Sequence, residues 1–126
     1  MEKKDSQLKL FGENFNTDVD LDRGLIEDWI REDGTISPGA FTGDECSVNR
    51  NDMRTKEETL KQDAKWRGIG SVNNRYPKQI GLDVKHMPIY SDNSNENNIA
   101  HCVILGKKTG SIRKKLANNA TLTKRN

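Results

Sequence analysis

Long apolar runs are missing from this sequence of 126 residues, and histidine, cysteine and aromatic side chains are scarce in it. No stretch approaches the roughly 20 consecutive apolar residues of a membrane-spanning helix, and Met1-Glu2-Lys3-Lys4-Asp5 lacks the apolar segment of a signal peptide. The expectation is a cytoplasmic protein without a membrane partner. Cys46 and Cys102, the only two cysteines, are then expected as free thiols. No internal repeat and no heptads run through the chain, which excludes solenoid and coiled-coil architectures. Phosphate-loop patterns are absent too. Gly68-Ile69-Gly70 lacks the third glycine, and Lys107-Lys108-Thr109-Gly110 lacks the glycine run before its lysine.

What is present is polar. Apolar residues make up 32% of the chain and the mean hydropathy is −0.92. A net charge of only +2 and clustered apolar residues still favour folding over disorder. One domain over residues 1–126 is expected, with 1–17 and 119–126 as mobile ends.

The longest nearly continuous apolar run is Asn98-Ile99-Ala100-His101-Cys102-Val103-Ile104-Leu105, bounded by an Asn-rich loop and Gly106. It reads as a central buried strand. Cys46-Ser47-Val48-Asn49-Arg50 reads as another, with Cys46, Val48 and Arg50 on one face and Ser47 and Asn49 on the other. Val84, His86 and Pro88 alternate as a third, and Arg67 to Val72 as a fourth, where glycines signal close backbone approach. Leu21, Leu25, Ile26, Trp29 and Ile30 have the spacing of one helical face. Thr55 with Glu58 matches a capping box that opens a helix running on toward Trp66. Tyr76-Pro77 starts a single helical turn, and Ser111 caps a last helix carrying Ile112, Leu116 and Ala117. The fold class predicted is α+β, a small and mostly antiparallel sheet flanked by short helices.

The candidates for chemistry are few. His101 and Cys102 face opposite ways on a strand and cannot act together. His101 can instead meet Ser47 or Cys46 from a neighbouring strand as a nucleophile–base pair. Cys46, His86, His101 and Cys102 contain no close ligand pair of the structural-zinc kind, so no metal and no cofactor is expected. Charge is graded along the chain. Residues 1–45 hold 12 acidic and 5 basic side chains, a net −7, whereas residues 107–126 hold seven cations and no acid. Lys107 and Lys108 just before the last helix and Arg113, Lys114 and Lys115 on it therefore make the basic C-terminal helix region the candidate contact with nucleic acid or an acidic protein partner. That segment has no aromatic residue for base stacking, which argues against single-strand specialisation.

Ser37-Pro38-Gly39-Ala40-Phe41, Cys46 to Arg50 and Asn98 to Ile104, ending in Arg113-Lys114-Lys115-Leu116-Ala117, resemble a loose group of small prokaryotic proteins with S-x-x-A-F, L-S-V-x-R and N-P-A-H-x-x-I blocks. Cys46 stands where that group has leucine and Ile99 where it has proline. The resemblance implies that Ser47, Arg50 and His101 converge, and it brings no activity with it. Arg23 and Ser47 also follow the Arg…Ser order of ADP-ribosyltransferases, with only loop residue Glu96 where those enzymes carry a late glutamate.

The function expected is a small non-enzymatic binding component of a prokaryotic system, of the toxin–antitoxin or phage-defence kind, acting through its basic C-terminal helix. The alternative is a small enzyme or toxin with a pocket lined by Ser47, Arg50, His86 and His101.

Overall fold

A computed structural model describes residues 13–15, 17–90 and 97–125. The chain forms β1 (Glu13–Asn14), β2 (Asp20–Ile26), β3 (Glu45–Arg50), α1 (Lys56–Leu60), β4 (Trp66–Asn73), α2 (Arg75–Gln79), β5 (Asp83–His86), β6 (His101–Leu105), α3 (Gly110–Asn119) and β7 (Thr121–Lys124), with single 3-10 turns at Glu27–Trp29 and Pro38–Ala40. The strands make one seven-stranded sheet in the order β1-β5-β6-β3-β2-β4-β7. Every pairing is antiparallel. This is the α+β class expected.

The two faces of the sheet are covered differently. Cys46 and Val48 of β3 pair with Ile104 and Cys102 of β6, and Leu21 of β2 pairs with Val72 of β4. All of these side chains belong to one apolar cluster, which α3 closes with Leu116 and Ala117. Burying a side chain such as Leu116 is worth about 1.5–3 kcal/mol. The opposite face carries Asp22, Asn49 and Ser71, all buried, beneath the short helix α1. Thr55 opens α1 with both halves of a capping box, accepting from the Glu58 amide at 3.1 Å while Glu58 accepts from the Thr55 amide at 2.9 Å.

Several local expectations need correction. Residues 20–26 form a strand, not a helix. Leu21 and Leu25 are four apart, which puts them on one side of a strand as well as of a helix, and pairing with β4 along the whole of β2 decides between the two. The helix from Thr55 ends at Leu60 rather than near Trp66. The last helix is capped by Thr109, whose hydroxyl accepts from the Ile112 amide, rather than by Ser111. The expected mobile end is ordered from 121 to 124 as β7, paired with β4. Gly68 explains that approach, since a Cβ there would stand 2.9 Å from the Thr123 carbonyl. The other expected mobile end lies largely outside the described residues, as does Glu96. Asn98 to Leu105 is an inner strand only from His101 onward, and β3 holds the middle of the sheet.

Candidate functional site

The site arises where two strands part. β2 pairs with β4 along its full length but with β3 only at Leu21↔Arg50 and Asp22↔Asn49. Beyond Asn49 the ladder opens, and the Arg23 guanidinium takes the freed Ser47 carbonyl, Nη1 donating at 2.9 Å. A pocket of about 80 Å³ occupies the gap on the α1 face, lined among others by Asp22, Gly24, Ser47, Asn49, Trp66 and His101. Its Trp66 wall needs Gly24 beneath it, because a Cβ at that position would collide with the indole ring.

Ser47 and His101 meet in this pocket. Asn49 lies directly opposite His101, so Ser47 is its diagonal neighbour, within reach of a long side chain. His101 Nδ1 stands 2.8 Å from the Met87 carbonyl and Nε2 stands 3.1 Å from Ser47 Oγ. A carbonyl can only accept, so Nδ1 carries the proton and Nε2 presents its lone pair to the serine hydroxyl. Burial lowers the His101 pKa against the opposing pull of the Met87 carbonyl, with His86 nearby lowering it further. The imidazole is therefore a neutral base at physiological pH.

Beside this pair stands a polar network that the sequence did not single out. Asn49 Nδ2 donates to Thr59 Oγ1 at 2.9 Å and to Gln62 Oε1 at 2.8 Å, and its Oδ1 accepts from Asn98 Nδ2 at 2.8 Å. Asp22 Oδ1 accepts from Ser71 Oγ at 2.7 Å and faces Lys56 Nζ at 3.6 Å. Its Oδ2 is buried without a protein partner. Burial raises the Asp22 pKa, while Ser71 and Lys56 pull it down. The available signal was the alternation itself, which set Asn49 beside Ser47 on a face that a helix covers.

The four residues expected to share a pocket divide between the two faces. Arg50 and His86 lie opposite Leu21 and Cys102, on the apolar side. Arg50 grips Asp52 with two bonds of 2.8 Å and stacks 4.3 Å over the Phe15 ring. His86 meets the same ring edge-on, with centroids 6.1 Å apart, and its Nε2 is 2.7 Å from the Ile99 carbonyl. The ion pair lowers the Asp52 pKa. Cys46 and Cys102 are buried free thiols, and burial pushes Cys102 up to about 12. Both thiols are poor nucleophiles at neutral pH. His101 is separated from them by the sheet, so the four potential metal ligands do not converge.

The basic helix also divides. Lys107, Lys114 and Lys115 are exposed. Lys108 is turned inward, where its ammonium donates to the carbonyls of Gly43 and Ile104 at 2.7 Å and of Gly106 at 3.0 Å. Arg113 donates to the Lys108 carbonyl at 2.9 Å. These two tie the β6–α3 connection together, Lys108 buried and Arg113 half-buried. Arg125 likewise clamps the end of α1, donating to Leu60 at 2.7 Å and to Trp66 at 2.8 Å. No described helix is long and apolar enough to cross a membrane.

Next to the pocket lies an open cleft of about 510 Å³, lined by Arg54, Glu58, Lys61, Gln62, Ile89, Asn97 and Asn98. Gln62 and Asn98 are walls of both cavities. No protein-family model matches the chain, and neither a curated protein nor a solved structure shows a significant similarity to it.

Proposed function

We propose that the chain is a small ligand-binding module that receives an anionic small molecule in the cleft beside α1, with the Ser47–His101 pocket at its inner end. The observation that carries this reading is the sharing of Gln62 and Asn98 between a cleft of about 510 Å³ and the pocket that holds Ser47 and His101. That volume suits a small ligand. Arg54, which donates to Asn98 Oδ1 at 3.2 Å, and Lys61 outweigh the single negative charge of Glu58, whose carboxylate accepts from the Thr55 amide at 2.9 Å. Asn49, Asn98 and Gln62 form a connected and pre-organised wall, which lowers the ordering cost of binding.

The test is an NMR titration of the full chain with orthophosphate and with citrate, against sodium chloride at matched ionic strength. Saturable shifts of the Gln62 and Asn98 side-chain amides, lost in an Arg54→Gln/Lys61→Gln variant, support the site. Shifts no larger than those from chloride refute it.

A second reading keeps the basic helix as a contact for nucleic acid or an acidic protein partner, in the toxin–antitoxin or phage-defence setting that the resemblance suggests. The exposure of Lys107, Lys114 and Lys115 favours it. Binding to duplex DNA and RNA in a salt series should weaken with salt and vanish when those three lysines become Glu. Lys108→Glu should act only through loss of folding.

A further inference from the structure

Ser47 is exposed at the rim of the pocket, and its hydroxyl already points at a base whose tautomer is fixed. We propose that Ser47 is a nucleophile activated by His101, able to take an acyl or phosphonyl group from an activated ester. This rests on the same pocket as the binding reading and adds a reaction to it.

Three features of the pocket support the assignment. The Met87 carbonyl holds Nδ1–H at 2.8 Å, so Nε2 is a free acceptor 3.1 Å from Ser47 Oγ, within general-base distance. The carbonyl occupies the position that a carboxylate fills in a Ser-His-Asp arrangement and orients the ring without adding charge. Next, the imidazole stays neutral where burial opposes its protonation. Finally, hydrogen-bonding direction alternates along a strand. Arg50 donates its amide to Ala100 toward β6, so the odd-numbered neighbours Ser47 and Asn49 direct theirs toward β2. The Ser47 amide thus projects into the gap where the β2–β3 ladder has opened. It is a donor for the negative oxygen that forms on an attacked ester.

The step balances within the site and the ester. Ser47 Oγ forms a bond to the acyl carbon, His101 Nε2 takes the hydroxyl proton, and the ester C–O bond breaks. That proton leaves with the alcohol. Water then attacks the acyl-serine with His101 as base, releasing a carboxylic acid and restoring Ser47. With a fluorophosphonate the phosphorus–fluorine bond breaks instead, fluoride leaves, and the phosphonyl-serine persists.

The experiment is intact-mass analysis of the full chain after incubation with a biotinylated fluorophosphonate, followed by peptide mapping. The expected result is a single adduct on Ser47, absent in Ser47→Ala and slowed at least tenfold in His101→Gln. The wild-type labelling rate should rise with pH through an inflection below the ordinary histidine value. Circular dichroism checks that both variants fold, and p-nitrophenyl acetate hydrolysis with the same ranking of variants gives an independent readout. No adduct, or an adduct that survives Ser47→Ala, overturns the nucleophile. If orthophosphate still shifts the cleft amides in that case, the site binds without reacting. If neither response occurs, both readings fall together.

Discussion

The two faces of the sheet solve the same packing problem with opposite chemistry. Under α3, Cys46, Val48, Cys102 and Ile104 meet Leu116 and Ala117 in one apolar cluster, where a polar atom without a partner would be costly. Under α1, Asp22, Asn49 and Ser71 are also buried, yet they are held by hydrogen bonds that fix direction as well as distance. The apolar face supplies stability that scales with area. The polar face supplies geometry. Its side chains cannot slide without leaving a buried donor or acceptor unmet, which suits it to carry a site.

Truncation on the apolar face should do the greatest damage. Leu116→Ala leaves a cavity in a fully buried position and should lower unfolding free energy by about 2–5 kcal/mol, read from denaturant midpoints. A shift under 1 kcal/mol would mean that α3 does not seal the core. Asn49→Ala strips partners from Thr59, Gln62 and Asn98 at once and should cost about 1–3 kcal/mol. A near-neutral result would show that water replaces the network and that the polar face is less rigid than the bonds imply.

Thr55→Ala removes the hydroxyl half of the α1 cap and should cost about 1 kcal/mol, seen as a lower melting temperature. Because α1 roofs only the polar face, its loss should loosen amide protection around Asn49 more than around Val48. Equal loosening on both faces would break the contrast.

The smallest effect expected is on pH dependence. The His101 pKa is lowered from its ordinary 6.5, so the unfolded chain binds a proton more readily than the folded one. Stability should decline as pH falls below about 6.5 and level off below the folded-state pKa. His101→Gln should flatten that window. A wild-type profile matching the variant's would mean that the imidazole is solvated rather than held between Met87 and Ser47.

Legibility in the sequence followed the same division. Alternation in Cys46-Ser47-Val48-Asn49-Arg50 placed Ser47 and Asn49 opposite Cys46, Val48 and Arg50, and the strand keeps that arrangement. The pairing of Ser47 with His101 was within reach of the same reasoning. Arg50 was already separated from Ser47 by that alternation, which the shared-pocket expectation overrode. The face that His86 joins could not be read, because it depends on register with a neighbouring strand. Asp22 was missed for a related reason. In a helix reading it is an exposed acid in the first turn, whereas in β2 it lies beneath Lys56 and beside Ser71. The basic end misled through charge counting. Lys108 and Arg125 are surrounded by backbone carbonyls, an environment that no local pattern encodes.

By itself the sequence determined the α+β class, the β3, β5 and β6 strands and the capping box of α1. These follow from side-chain period and cap chemistry, which act over a few residues. Only the tertiary structure decided that β2 is a strand, that β2 and β3 part past the Asp22↔Asn49 pair, and that His101 reaches Ser47 and not Arg50. Ser47 and His101 are 54 residues apart in the chain. Contacts across such a distance are set by strand order and register, and those are chosen by the packing of the whole sheet.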